Sequence, residues 1–244
     1  MQENKQKRKE VEEKDIIISL DPEGDKNITE KMNQIFDGVY KEGRNIATKN
    51  KFKGNTVYGE KIISEKGNEY RLWDPERSKL AAAIQNGLRN WTIKKDDNIL
   101  YLGASSGTTP SHVSDISNIV FAVEISKRMM RNLIQISEIR TNIIPVLADA
   151  LKPETYMDRI LSVDFIYQDV AQPNQAEILN KNAEIFKPKF AMLAIKARSI
   201  DVLKNPSQIF KREIAKLKNF EVLEIIKLYP YDKDHVLVNL RYNG

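Results

Sequence analysis

The stretch from Asn98 to Pro110, Asn-Ile-Leu-Tyr-Leu-Gly-Ala-Ser-Ser-Gly-Thr-Thr-Pro, constrains the fold more than any other part of the chain. Ile99 to Leu102 is an apolar run of the kind that forms a buried strand in a parallel sheet. Gly103 breaks the run, Gly107 follows, and Thr108 and Thr109 lead into Pro110. Proline suits the first turn of a helix, where a missing N–H costs nothing. The order is therefore strand, glycine loop, helix. Such a loop brings bare backbone N–H groups and a helix N-terminus to a ligand at the carboxyl end of a sheet.

The loop also restricts the ligand. No Lys lies between Gly103 and Pro110, so the phosphate loop ending in Gly-Lys-Ser/Thr is absent. Residue 105 is Ser, so Gly-x-Gly-x-x-Gly is not met and close approach to a pyrophosphate is not provided. What remains is Gly-x-x-x-Gly, with Gly103, Ala104 and Gly107 facing the ligand. It suits a ligand without phosphate, such as S-adenosylmethionine. Glu124 ends the next apolar run, Ile119 to Val123. It stands about as far onward as the acid that receives ribose hydroxyls in nucleotide-binding α/β folds.

A chain of 244 residues suits one large domain, or one domain with a small extension. The absence of cysteine excludes disulfides, thiolate zinc sites and a cysteine nucleophile. Two histidines, His112 and His235, argue against a multi-histidine metal site, and no metal is expected. No apolar run reaches the length of a membrane span, and no signal-peptide core stands at the N-terminus. A cytoplasmic protein with no membrane partner is expected. The net charge of +5 allows a polyanionic partner without requiring one.

Residues 1–15 balance five basic against five acidic side chains and read as a charged tail. Residues 16–73 read as a small N-terminal β-rich domain. Its short runs are Ile16 to Ser19, Val39-Tyr40, Ile46 to Thr48, Thr56 to Tyr58, Ile62-Ile63 and Tyr70 to Trp73, with a turn at Asp21-Pro-Glu-Gly24. Residues 41–79 hold ten Lys/Arg against six Asp/Glu, interleaved with Tyr40, Tyr58, Tyr70 and Trp73. Such a mixture suits RNA, and equally a solvated strand face with core aromatics.

Residues 74–244 read as the main domain. Trp73-Asp74-Pro75 signals a helix running to about Asn90. After Pro110 helix and strand alternate. Helices are expected at 110–116, 127–140 with Ser126 as N-cap, 153–161, 175–186 and 206–217. Strands are expected at 119–123, 143–147, 163–167, 190–195, 222–228 and 235–241, the last two an antiparallel pair at one edge. This is an α/β, doubly wound, mostly parallel seven-stranded sheet, the Rossmann-like layout of class I S-adenosylmethionine-dependent methyltransferases.

In such a sheet the ligand crosses the carboxyl ends of the strands. Polar residues stand at most of them: Glu124, Asp149, Asp169 and Lys196. Glu124 suits the ribose, Asp149-Ala150 the adenine, and Asp169-Val-Ala-Gln-Pro173 the methionine part. Lys196 follows the apolar run Ala191 to Ile195, at the rim of a dry site where an amine pKa can fall. Helix caps or a snorkelling surface lysine would explain the same residues. His235 opens the last strand, and spacing alone does not decide between a structural and a catalytic His. His112 reads as a packing or capping residue.

The runs Tyr101-Leu-Gly-Ala-Ser-Ser-Gly-Thr-Thr-Pro-Ser-His-Val-Ser-Asp115, Arg140-Thr-Asn-Ile-Ile-Pro145 and Asp169-Val-Ala-Gln-Pro173 closely resemble fibrillarin. So do Trp73-Asp-Pro-Glu-Arg-Ser-Lys-Leu-Ala-Ala-Ala-Ile84, Val57-Tyr-Gly-Glu60, Thr48-Lys-Asn50 and Tyr231-Asp-Lys-Asp-His235. The resemblance covers about Ile46 to the C-terminus, and Ile195 to Val202 is similar to the archaeal form. It implies a 2'-O-ribose methyltransferase acting on rRNA and tRNA with S-adenosyl-L-methionine. It also implies a box C/D ribonucleoprotein with a guide RNA that chooses the target, a Nop-family scaffold protein and a kink-turn-binding ribosomal-type protein. By motif it implies cofactor residues Thr108, Thr109, Glu124, Ile125, Asp149, Ala150, Asp169, Val170, Ala171 and Gln172, and a catalytic set Lys49, Asp169, Lys196 and His235. In that reading Lys196 takes the hydroxyl proton, Asp169 orients Lys196 and the cofactor, and Lys49 and His235 hold the ribose and phosphate. Three departures stand out: Pro188-Lys189 replaces a Gly-Gly turn, the turn between Ser117 and Ile119 is short, and Ile125 replaces an aromatic. A non-catalytic ribonucleoprotein subunit, or a methyltransferase for a small molecule or protein, would share the fold. The complete Lys/Asp/Lys/His set argues against the first, and the absence of an inserted substrate lid against the second.

Overall fold

The computed structural model describes residues 31–244. The charged tail at 1–15, the β-like run at 16–19 and the turn at 21–24 lie outside the described residues. An antiparallel sheet comes first: β1 Asn33–Phe36, β2 Val39–Glu42, β3 Asn45–Lys49, β4 Ile62–Glu65 and β5 Asn68–Leu72, in the order β1-β2-β3-β5-β4. Strand β1 has no counterpart in the expected runs. Thr56 to Tyr58, expected as a strand, is a loop. Its backbone donors go to a side chain instead of a ladder: the Glu60 carboxylate accepts from Val57 N at 3.0 Å and Tyr58 N at 2.8 Å.

The helix expected from Trp73 to Asn90 shrinks to α1, Lys79–Gln85. Asp74 Oδ1 accepts from Glu76 N and makes only a turn. The cap is Ser78, whose side chain accepts from Ala81 N, and Gly87 at φ 92° follows the helix.

A seven-stranded sheet follows, in the order β11-β12-β10-β9-β6-β7-β8. The strands are β6 Asn98–Leu102, β7 Ile119–Glu124, β8 Ile143–Leu147, β9 Phe165–Gln168, β10 Phe190–Lys196, β11 Phe220–Lys227 and β12 His235–Tyr242. All neighbours are parallel except β10 with β12 and β11 with β12. Between them run α2 Thr108–Ile116, α3 Lys127–Ile139, α4 Gln175–Phe186, α5 Ala197–Ile200 and α6 Pro206–Ala215. Ser126 caps α3, accepting from Met129 N. The helix expected at 153–161 breaks into two 3-10 turns, Pro153–Thr155 and Met157–Arg159. Between them Tyr156 leaves helical geometry at φ −136°, is buried, and donates its hydroxyl to Asn182 Oδ1. At the Pro188-Lys189 turn, Lys187 takes the left-handed conformation at φ 47° that glycine would favour.

The two sheets meet across α2 through a buried polar network. Arg71, fully buried, ion-pairs with Glu60 and with Asp115 Oδ2 at 2.8 Å, and Arg140 Nη1 donates to Asp115 Oδ1 at 2.7 Å. Thr48 donates its hydroxyl to Asp115 Oδ2 at 2.8 Å and so accepts from His112 Nδ1, also at 2.8 Å. His112 Nε2 is then the acceptor for the Tyr58 hydroxyl at 2.8 Å. Trp73 stacks on the imidazole, with ring centroids 4.8 Å apart. Burial, reinforced by the nearby Arg71 and Arg140 cations, holds the His112 pKa well below its usual range. The neutral ring thus contributes stability that is complete above the unfolded value of about 6.5 and is lost as pH falls below it. Thermal denaturation from pH 7 to pH 5 is expected to show a decline of up to about 1.4 kcal/mol per pH unit from this one group. His112→Gln should be less stable at pH 7 yet flatter below about pH 6.5. An equally steep decline in that variant would remove His112 as the cause.

Candidate cofactor and catalytic site

The register of the large sheet sets the site. Leu102 pairs with Val123 on one side and Gln168 on the other. The residues that follow, Gly103, Glu124 and Asp169, therefore emerge at one edge. Strands β6 and β9 lie side by side while the chain leaves β6 for β7 on the opposite side, so a crevice opens above them. Gly103 makes the crevice possible. It has φ 84°, and a Cβ there would lie 2.8 Å from the Asp169 carbonyl oxygen.

The crevice is a cavity of about 370 Å³. Of the expected cofactor residues, Gly103, Glu124, Ile125, Asp149, Ala150, Asp169, Val170, Ala171 and Gln172 line it, and so does Lys196. Ala104, Gly107, Thr108 and Thr109 are not in its wall. Gly107 is instead the N-cap of α2 at φ 92°, where a Cβ would lie 2.7 Å from Ile136 Cδ1. The helix starts at Thr108, two residues before Pro110, because Gly107 O already accepts from Ser111 N. Thr109 is buried and donates its hydroxyl to Ser78 Oγ.

Sequence reasoning missed Ser105, Val123, Met129 and Ala148 in the wall. Ser105 takes the left-handed conformation, φ 51°, and donates its N–H to Glu124 Oε2 at 2.8 Å. Ser126 N donates to Glu124 Oε1 at 2.7 Å. The carboxylate is thus fixed by two backbone donors, and each oxygen retains acceptor capacity for a hydroxyl. Asp149 Oδ1 accepts from Leu151 N at 3.0 Å and from Gln172 Nε2 at 3.3 Å. Its Oδ2 accepts from no group among the described residues. Ile125, 58% exposed, offers an apolar rim. The cavity fits a nucleoside at the Glu124 and Asp149 end and a charged amino-acid moiety at the Asp169 end.

At that second end the ionisable groups form a chain. Lys196 Nζ lies 2.8 Å from Asp169 Oδ1 and donates to the Asp169 carbonyl oxygen at 2.9 Å. Lys79 Nζ stands 3.4 Å from the Asp169 carboxylate and 3.3 Å from Asp232 Oδ2. His235 Nδ1 lies 2.7 Å from Asp232 Oδ1. Lys196 and His235 are direct cross-strand partners in the antiparallel β10–β12 pair, which brings their side chains to one place. Burial alone would lower the Lys79 amine, but the carboxylates of Asp169 and Asp232 outweigh it and raise the pKa. Burial would likewise raise Asp232, and His235 and Lys79 reverse that and hold it low.

Lys49, expected in the catalytic set, is not in this chain of groups. It ends β3 as an exposed residue. Its neighbour Thr48 is bonded to Asp115, and Lys51 Nζ donates to Ser117 O at 2.7 Å. Lys49 is therefore carried to the C-terminal end of α2, away from the glycine loop at the N-terminal end. Lys79 stands where Lys49 was expected. Sequence alone does not single it out, because the Trp73-Asp74-Pro75 signal puts the helix start several residues earlier and only the Ser78 cap places Lys79 in the first turn of α1.

The sequence profile of the family described as Fibrillarin matches residues 27–244. A protein of Methanocaldococcus jannaschii named fibrillarin-like rRNA/tRNA 2'-O-methyltransferase is 51% identical over 218 residues, covering 85% of this chain and 95% of its own. A fibrillarin of Aeropyrum pernix, crystallised with natively bound S-adenosyl-L-methionine, matches with a TM-score of 0.78 and 42% identity over 87% of this chain and 98% of its own. The fibrillarin in a crystal structure of a fibrillarin/Nop5p complex matches with a TM-score of 0.79 and 39% identity over 86% of this chain and all of its own. With the seven-stranded sheet, the glycine loop and the cavity described above, these matches establish that the chain belongs to the fibrillarin family.

Proposed function

We propose that this chain transfers a methyl group from S-adenosylmethionine to a ribose 2'-hydroxyl of rRNA or tRNA, as the names of its relatives describe. We place it in a box C/D ribonucleoprotein with a Nop-family scaffold and a kink-turn-binding protein, where a guide RNA selects the nucleotide by base pairing. The identity with named methyltransferases supports the activity, and the fibrillarin/Nop5p complex supports the scaffold. The observation that carries the reading is the chain Lys196–Asp169–Lys79–Asp232–His235 at one end of a cavity that has Glu124 and Asp149 at the other.

When bound, the cofactor supplies an electrophilic methyl on a sulfonium. Glu124 receives the ribose hydroxyls, Asp149 and Ala150 the adenine, and Asp169 to Gln172 the methionine end. The residues of the ionic chain divide the remaining work. A ribose hydroxyl is a poor nucleophile and gains from a base. Lys196 lines the cofactor cavity and Lys79 does not, so Lys196 is the amine placed to take the hydroxyl proton at Nζ and pass it to solvent. Lys79, held between the Asp169 and Asp232 carboxylates that raise its pKa, serves as a cation. A carboxylate favours a sulfonium more than the transition state, in which positive charge fades, so Asp169 does not speed the step by charge alone. It positions Lys196. Lys79 and His235 hold the ribose and the neighbouring phosphate.

Calorimetric titration of the purified chain with S-adenosylmethionine tests the cofactor assignment. Asp149→Ala removes a charged acceptor and is expected to weaken binding at least about tenfold. Unchanged affinity in that variant would show that the nucleoside is held elsewhere. Methylation in a reconstituted guide complex, read at the guide-specified nucleotide, tests the reaction itself.

A further inference from the structure

The run Ile195 to Val202 ends in a loop to which the reaction assigns no work. Strand β10 ends at Lys196, α5 spans Ala197–Ile200, and residues 201–205 lead into α6. The loop therefore stands at the carboxyl end of the sheet, on the rim of the reacting groups. It carries Val202 and Leu203, 67% and 92% exposed. Among the described residues Leu203 is the most exposed large apolar side chain. A lone apolar side chain in water needs no partner. These two are consecutive, and the backbone beneath them is braced. Asp201 Oδ1 accepts from Leu203 N at 3.0 Å and from Lys204 N at 3.2 Å. Arg198 Nη1 donates to the Val202 carbonyl at 2.6 Å, and Arg198 Nε donates to Asp234 Oδ2 at 3.0 Å. Asp234 precedes His235, the cross-strand partner of Lys196. One arginine thus ties the exposed pair to the reacting end of the ionic chain.

The geometry of the substrate says what lies against this rim. The hydroxyl to be methylated belongs to a strand paired with the guide RNA. Paired RNA is A-form, and its 2'-hydroxyls line the wide, shallow minor groove. When one of them stands at Lys196, that groove faces Lys196 and its surroundings. A shallow groove admits the side chains of a short loop, and the carbon edges of its sugars are apolar. Lys204 and Lys233, both exposed, flank the pair and match the phosphates at the edges of the groove. Resting on the guide-directed methyl-transfer reading above, we propose that residues 201–205 dock in the minor groove of the guide–target duplex, with Val202 and Leu203 against the sugars beside the modified nucleotide. A braced stop at that point sets the step at which the duplex meets Lys196.

The chain has no cysteine, so Leu203→Cys accepts a single benzophenone label before assembly into the guide complex. Irradiation is expected to crosslink it to the guide–target duplex next to the modified nucleotide. Leu161→Cys is the control: Leu161 is 88% exposed but precedes β9, at the opposite end of the sheet, and should give no such crosslink. The second measurement is the rate of methyl transfer at target RNA below saturation. Leu203→Asp sets a carboxylate against phosphates and should slow transfer about tenfold. Leu203→Lys should lose less, because its charge has the sign the groove attracts. Affinity for S-adenosylmethionine should stay within about twofold of wild type in both, since Leu203 does not line the cofactor cavity. Crosslinks to the Nop-family scaffold alone, or none, would overturn the proposal. So would wild-type transfer by Leu203→Asp. Failure of the parent reading looks different: a wild-type complex that binds the duplex and the cofactor but transfers no methyl, while the crosslink still decides where the duplex sits.

Discussion

Lys196→Ala is expected to reduce methyl transfer in the reconstituted guide complex by about a hundredfold to ten-thousandfold, the range a positioned proton acceptor contributes. Its affinity for S-adenosylmethionine should stay within a few-fold. Lys196 lines the cavity, but the proposed nucleoside contacts fall to Glu124 and Asp149 at the far end. Lys196→Arg is the informative companion. Arginine restores the charge beside Asp169 but does not give up its proton near neutral pH, so it cannot act as the base. Transfer should stay low in Lys196→Arg if Lys196 accepts the proton, and recover if the residue serves only as a cation. Lys79 should behave in the opposite way. Its role is to remain charged between Asp169 and Asp232, so Lys79→Arg should retain much of the activity that Lys79→Ala loses. Near-normal transfer by Lys196→Ala would refute the assignment.

The contrast between Lys79 and Lys49 shows what the sequence reveals and what it conceals. The glycine loop, the strand ends at Glu124, Asp169 and Lys196, and the edge hairpin were legible because each is a local pattern. An apolar run ending in a polar residue marks the carboxyl end of a strand wherever it occurs. His235 was visible as the start of the last strand, but its place opposite Lys196 depends on the β10–β12 register, which only pairing fixes. Lys49 and Lys79 both belong to motif-like runs, and sequence distance from the glycine loop does not separate them. Long-range bonds do: Thr48 and Lys51 tie the region of Lys49 to the C-terminal end of α2, while Lys79 reaches across to Asp169, ninety positions away. Helix ends misread from 73 to 90 and from 153 to 161 have the same origin. Ser78 and Tyr156 answer to tertiary partners that no helical periodicity contains.

Asp115→Ala is expected to destabilise the fold by about 3–5 kcal/mol, because it leaves two buried guanidinium groups without their shared carboxylate. The Asp115 side chain is fully buried, and it accepts from Arg71 and Arg140 on separate oxygens. In a chain of this size the loss corresponds to a fall in Tm of roughly 6–20 °C. Asp115→Asn keeps one acceptor oxygen and should fall between wild type and alanine. Glu221→Ala is the surface control. Its partner Arg241 lies 3.1 Å away, both side chains are about half exposed, and the change should stay within about 1 kcal/mol. A Tm for Asp115→Ala no lower than that of Glu221→Ala would mean that the network does not hold the two sheets together. The network also bears on the reaction. Arg71 anchors the end of β5, and the chain runs from there through Trp73 and Ser78 to Lys79. Loosening Arg71 frees the segment that aims Lys79 at Asp169. Asp115→Ala should therefore transfer methyl more slowly even at temperatures where it is fully folded, while still binding S-adenosylmethionine through Glu124 and Asp149.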